Sequence, residues 1–179
     1  MLKSKDKTMK IELRPIQEKD AMAVYDLFQS IPSENGFENH SHSLSQTDFA
    51  EWVKTADLQS KGIGLKEGRV PQTTSVLWID NEPVGFSKLR HYLTPALEQH
   101  GGHIGFSTGS KFRGKGYANI LLAETLKQAK SMGIEKVLLT CNDNNAPSWK
   151  TIEHNGGILS KTEIDQKDGR LSRFYWITL

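Results

Sequence analysis

The spacing of apolar and polar positions changes period several times along the chain. Ile11 and Leu13, halted by Arg14-Pro15, read as a first short strand. Ala21, Val24, Tyr25 and Phe28 recur at helical spacing and predict a helix over 18–30. A polar, glycine-containing stretch over 33–45 follows, and Thr47-Asp48 then opens a second predicted helix to about Gln59. The runs 70–79 and 83–92 read as strands, joined into a hairpin by the tight turn Asp80-Asn81-Glu82. Residues 93–101 read as a loop or helical turn, and 103–108 as a strand. The clearest helix spans 116–132. Its apolar face is Ala118, Leu121, Leu122, Thr125, Leu126 and Ala129, and Gly133 ends it. A buried strand over 135–141 precedes a short helix over 145–154, with Asn145 as N-cap, Pro147 in the first turn and Gly156 as the stop. The runs 158–164 and 171–178 form a final hairpin around Gln166-Lys167-Asp168-Gly169.

The order β-α-α-β-β-β-α-β-α-β-β predicts an α/β (α+β) fold. Its sheet should be mixed, mostly antiparallel and flanked by helices, within one domain over 10–179. The strand-loop-helix-strand unit over 103–141 predicts a right-handed parallel crossover between the fourth and fifth strands. Residues 1–9 carry Lys3, Lys5 and Lys7 with no apolar stretch behind them. They read as a disordered basic tail, not a secretory signal. The longest apolar runs, 120–123 and 137–139, fall far short of the roughly 20 residues a membrane helix needs. A net charge of +2 is too small to argue for nucleic acid. Cys141 is the only cysteine, so no disulfide can form within one chain, and a cytoplasmic location is expected.

The informative chemistry lies in the stretch 103–118. A strand ends near Thr108, and Arg113-Gly114-Lys115-Gly116-Tyr117-Ala118 leads at once into the long helix. Glycines let the backbone turn and approach a ligand closely. Exposed N–H groups at the helix N-terminus, together with the helix dipole, make an anion site. Lys111, Arg113 and Lys115 add positive charge there, and a pyrophosphate fits. A nucleotide P-loop would need Ser or Thr after Gly114-Lys115, but Gly116 stands there. The dinucleotide pattern G-x-G-x-x-G is broken at Asn119. The pattern present is R-x-x-G-x-A, carried by Arg113, Gly116 and Ala118.

With this loop, and the segment from Asn145 to Gly156 one strand later, the sequence resembles the GNAT (Gcn5-related) N-acetyltransferase superfamily from about Lys10 to its C-terminus. The resemblance implies an enzyme that moves acetyl from acetyl-CoA to a primary amine of a small molecule or protein, in a ternary complex and without a metal. It implies that Arg113, Gly114, Lys115, Gly116, Tyr117 and Ala118 hold the pyrophosphate. Main-chain groups of Phe106, Ser107 and Thr108 would pair with the pantetheine arm like an extra strand. Asn145 matches the family's pantetheine-contacting Asn, and Ser148 the small residue beside it. Family members often carry a Tyr as general acid on the short helix, where this chain has Ile152. Glu34, Phe37 and Glu38 would border the acceptor pocket and meet a cationic amine. Dimers are common in the family, which allows a homodimer. The missing Tyr leaves a second reading, a CoA-binding sensor or catalytically silent module.

Deprotonating an ammonium of pKa about 10.4 calls for a base. His103, on the strand leading into the loop, is the first candidate, with His91, Glu98 and Asp143 behind it; Tyr92 and Tyr117 are candidate acids. The run Asn142-Asp143-Asn144-Asn145 suits ligand contact at a strand's C-terminal end, as well as a plain turn with an N-cap. Cys141 reads as a small buried residue. His40 and His42 without a third ligand make no metal site.

Overall fold

In the computed structural model, which describes residues 8–166 and 169–179, the strands divide between two sheets. β1 (Ile11–Pro15), β2 (Gln72–Ile79), β3 (Glu82–Arg90) and β4 (Ile104–Thr108) pair antiparallel in that order. β5 (Lys136–Asn142), β6 (Ile158–Ile164) and β7 (Leu171–Thr178) form a second antiparallel sheet in the order β5-β7-β6. The helices are α1 (Ala21–Gln29), α2 (Gln46–Ser60), α3 (Pro95–Gln99), α4 (Tyr117–Ser131) and α5 (Ala146–His154). Residues 1–7 of the expected basic tail, and Lys167-Asp168 of the last turn, lie outside the described residues. No helix is long and apolar enough to cross a membrane among the described residues.

Local chemistry sets the boundaries. Asp80 and Asn81 both take positive φ, 49° and 68°, the conformation a two-residue hairpin turn demands. The first helix begins later than its apolar spacing predicts. Residues 18–20 form a 3-10 turn, because the Asp20 carboxylate accepts from the Gln17 N–H and from Arg14. The second begins earlier, because the Ser45 hydroxyl accepts from the Asp48 N–H as N-cap. Within 93–101, Thr94 caps α3 in the same way.

Two cores result. α1 and α2 cover one face of the first sheet, where the ring of Phe28 stacks on Phe86 with centroids 4.1 Å apart. α4 covers the other face and, with α5, closes on the second sheet through Leu122, Leu126, Leu139, Ile152 and Tyr175. Alternation along β3 therefore decides where each side chain goes. Gly85, Ser87 and Leu89 face α4: a Cβ on Gly85 would meet Leu121, and Thr125 donates to the Ser87 hydroxyl. Phe86 faces α1, and Lys88 and Arg90 follow it on that side.

The crossover expected between the fourth and fifth strands is not a hydrogen-bonded pair of strands. β4 and β5 belong to separate sheets and meet at one point. The His103 N–H donates to the Leu138 carbonyl at 2.7 Å, and the Leu138 N–H donates to His103 Nδ1 at 2.9 Å. The cause is local: Gly101 and Gly102 take φ of 89° and 55°, and a Cβ on Gly102 would come within 2.4 Å of the Leu138 carbonyl oxygen. That close approach pins the entry to β4 against β5, and no ladder joins them beyond it.

Candidate functional site

The loop after β4 is anchored by Phe112, which is buried, and the ammonium groups of Lys111 and Lys115 lie 4.6 and 5.7 Å from the centre of its ring. Gly114 and Gly116 take φ of 74° and 79°, and a Cβ at either would meet nothing within 4 Å. The space over them is open. Gly116 is the N-cap of α4 with no side-chain cap, so the first-turn amides of Tyr117 and Ala118 have no intrahelical carbonyl to bond. Asn119 Oδ1 is buried there without a partner. Uncapped amides, the positive end of a 15-residue helix and the side chains of Arg113 and Lys115 fit a pyrophosphate. Arg113 Nη2 meanwhile bonds to Glu34 Oε1 at 2.5 Å, and Lys111 to Glu82 at 3.0 Å.

Beside this cradle, the β5-facing edge of β4 presents main-chain groups. Two bonds fix the phase: Arg90 N–H to the His103 carbonyl, and Gly109 N–H to the Val84 carbonyl. Alternation then turns the amide and carbonyl of Phe106 and Thr108 away from β3 and toward the gap, and those of Ser107 toward β3. Across the gap, Asn145 caps α5 by accepting from the Ser148 N–H. Burial pushes the thiol of Cys141 up to about 11, an effect that nearby Ser148 partly offsets. Ile152 is wholly buried in the second core. Asp143 is ion-paired to Arg173 at 2.7 Å, and Arg173 reaches the Tyr175 hydroxyl, which donates to Glu153 at 2.9 Å.

The remaining face of the gap lies toward α1. A tight hairpin crosses it. Glu34 and Phe37 exchange both main-chain hydrogen bonds, at 3.0 and 2.8 Å, around Asn35 and Gly36 at positive φ. Phe37 packs where a Gly105 side chain would be, on β4. A Cβ on Gly36 would meet the side-chain amide of Asn142, on β5, at 3.4 Å. Asn142 is 7% exposed and its Nδ2 has no partner. With Glu34 on Arg113, the hairpin touches β4, β5 and the anion loop at once. The acceptor-facing residues expected from sequence thus divide: Phe37 lies on the gap, Glu34 is held by a cation, and the Glu38 carboxylate turns outward to His40 at 3.3 Å.

His103 is buried on this face, and its pKa falls to about 4 through burial and the nearby Arg90. Because Nδ1 accepts a backbone N–H, the neutral ring carries its hydrogen on Nε2, and neither nitrogen offers a free lone pair. Of the other expected bases, His91 bonds Thr73 through Nε2, and Glu98 lines an open cavity of about 220 Å³ with Leu138, Phe174 and Trp176. No group of three or more His, Cys, Asp or Glu that could hold a metal occurs among the described residues. Sequence reasoning passed over Lys88 and Arg90. Their signal was the alternation Val84, Phe86, Lys88, Arg90, which sets two cations in line with buried apolar positions.

Comparison with known proteins finds relatives of this fold. The family model described as an acetyltransferase (GNAT) domain matches residues 10–158. Among solved structures, RimL, a ribosomal L7/L12 alpha-N-protein acetyltransferase in complex with coenzyme A, superposes with a TM-score of 0.72. It is 17% identical over 94% of this chain and 94% of that one. A GNAT-family acetyltransferase from Bacillus anthracis gives 0.65 at 21% identity, over 94% and 95% of the two chains. The yncA protein of Salmonella typhimurium, solved with its cofactor acetyl-CoA, gives 0.64 at 12% identity over 95% and 94%. At these identities the likeness is one of fold. No curated protein matches the sequence.

Proposed function

Because the chain belongs to the GNAT acetyltransferase family, we propose that it transfers acetyl from acetyl-CoA to a primary amine. The observation that carries the reading is the uncapped amide cradle at Gly116, on the loop that leaves β4, the strand bordering the gap toward β5. Bound acetyl-CoA supplies an activated thioester, whose acetyl passes to the amine as a C–N bond replaces the C–S bond and the CoA thiol is released. The residues assigned to hold it are Arg113 to Ala118 at the pyrophosphate, the main chain of Phe106 and Thr108 along the pantetheine, and Asn145 and Ser148 across the gap. Ser107 belongs to the same strand but turns its main chain to β3, so its part is limited to its side chain.

His103 takes a positioning role in this reading. It holds β4 to β5 at the closed end of the gap, and with both ring nitrogens committed it accepts no proton from the amine. A second reading, a CoA-binding module without turnover, is favoured by one feature: buried Ile152 stands where the family often has its acid. A homodimer would cover the exposed edge strand β6, with Ile158 74% and Ile164 57% exposed. Sedimentation that finds only monomer at working concentration removes the dimer.

The deciding measurement is thermal stabilisation by acetyl-CoA against ATP with magnesium, followed by thiol release with a panel of amines. A ligand bound only by the folded state raises the melting temperature. Stabilisation by acetyl-CoA with thiol release supports the enzyme. Stabilisation without release for any amine supports the silent module. Stabilisation by nucleotide alone overturns both.

A further inference from the structure

Lys88 and Arg90 alternate on β3 and share the face that carries Phe37 and the entrance to the gap. Lys88 is 9% exposed, and its ammonium donates to the main-chain carbonyl of Glu38 at 2.6 Å. Arg90 Nη1 donates to the carbonyls of Gly101 and Gly102 at 3.2 and 3.1 Å. Among the described residues no carboxylate lies within ion-pair distance of either cation. Glu38 attracts Lys88 only from a distance, its carboxylate being engaged with His40. Arg69 and Arg90 both repel Lys88, which sits at about 8 mainly because it is buried.

A buried charge is tolerated when it is paired and hydrogen-bonded. An ammonium has three donors and a guanidinium five, and among the described residues most of them have no protein acceptor. Resting on the acetyltransferase reading above, we propose that the acceptor amine carries an anionic group, a carboxylate or phosphate, that docks against Lys88 and Arg90. β3 and β4 are one strand spacing apart, about 4.8 Å, and the gap lies on the far side of β4. The anion and the reacting amine are therefore separated by roughly 5–10 Å along the acceptor. This reverses the polarity expected from Glu34 and Glu38: the pocket recognises negative charge beside the amine. The Phe37 ring lies beside this subsite, 5.5 Å from Lys88 Nζ.

The test uses the full chain with CoA bound, and the probes are glutarate and inorganic phosphate. Each is compared with sodium chloride at the same ionic strength by thermal melting. At least one probe should raise the melting temperature of the wild-type complex beyond the chloride control, and which one does so separates carboxylate from phosphate. Lys88→Met should keep the shift given by CoA and lose the shift given by the anion. Arg90→Gln, the second variant, should do the same if the first folds poorly. In turnover, the amine bearing the stabilising anion (γ-aminobutyrate for a carboxylate, phosphoethanolamine for a phosphate) should exceed n-butylamine in kcat/KM by at least about tenfold, an advantage that Lys88→Met erases. No anion shift in the wild type, an equal shift in Lys88→Met, or equal rates for the two amines overturns the proposal. Failure of CoA itself to stabilise the protein overturns the acetyltransferase reading instead.

Discussion

The cradle and the proposed acceptor face are both cationic, yet they are built in opposite ways. At the cradle, positive charge comes from a contiguous loop, 109–118, pinned by buried Phe112, whose Lys111 and 113–116 segment lie open to solvent. At the acceptor face, Lys88 and Arg90 are sunk into a sheet and bonded to main-chain carbonyls from segments 50 and 11–12 residues away in sequence. An exposed anion site is cheap to build, since backbone donors carry no desolvated charge. A buried ammonium costs several kcal/mol unless something pairs with it. The cradle would therefore be a general phosphate grip, while the acceptor face would be stable only in terms of a particular ligand.

The largest effect should come from Gly116→Asp. It places a carboxylate against the helix N-terminus and forces a non-glycine residue to φ 79°. Acetyl-CoA affinity should fall roughly 1,000-fold, or about 4 kcal/mol, by calorimetric titration. Gly133→Asp is the control. It suffers the same backbone strain at φ 80°, roughly 1–2 kcal/mol, at the other end of α4, and should leave affinity unchanged. Equal affinity loss in both would mean that strain in the helix, and not the anion site, was being read.

The same difference explains what could be read from the sequence. Gly114, Lys115 and Gly116 act through positions next to one another, so the loop's chemistry was legible before any fold was known. The element order was legible too, because each run of apolar spacing is local. The hairpin at Glu34–Phe37 was not: it draws its meaning from Gly105, Asn142 and Arg113, each at least 68 positions away in the chain. The surroundings of His103 were not legible either, for the same reason. Its position beside the loop suggested a base, whereas its Nδ1 is spent on Leu138, 35 residues further on.

That reassignment gives the next prediction. His103→Gln should destabilise the protein by roughly 1–3 kcal/mol, because a buried N–H at Leu138 loses its acceptor or gains a poorly placed one. The unfolded imidazole titrates near 6.5 and the folded one near 4, so between those values the unfolded chain binds more protons. Wild-type stability should fall as pH drops from 6.5 to 4, by on the order of 3 kcal/mol. The variant should lack this acid limb in urea melts. A variant of unaltered stability whose kcat alone collapses would restore His103 as a base.

Removing the Lys88 ammonium should act with the opposite sign. Its folded pKa of about 8 lies below the ordinary 10.5, so its burial penalty is fully present below pH 8. The penalty is relieved as pH rises from 8 to 10.5, where the unfolded chain binds the extra proton. Without ligand, Lys88→Met should therefore be more stable than wild type at pH 7, by roughly 1–3 kcal/mol, and the two should converge above pH 10. A less stable Lys88→Met at pH 7 would make the ammonium a structural tie for the Glu38 carbonyl.

The smallest effect joins the two regions. Glu34 is the acceptor-side residue that holds a cradle cation, and both partners are roughly half-exposed, at 40% and 48%. Such pairs contribute about 0–1 kcal/mol and weaken with salt. A pyrophosphate that takes Arg113 must displace Glu34. The hairpin then loses its hold on the loop while keeping its contacts with Gly105 and Asn142. Glu34→Gln should therefore bind acetyl-CoA about two- to threefold more tightly at low ionic strength, and the gain should vanish near 1 M salt, where charges are screened within about 3 Å. Weaker binding in Glu34→Gln would mean that Glu34 presents Arg113 to the phosphates and does not compete with them. The cradle and the acceptor hairpin would then form one preassembled site, not two that exchange a partner.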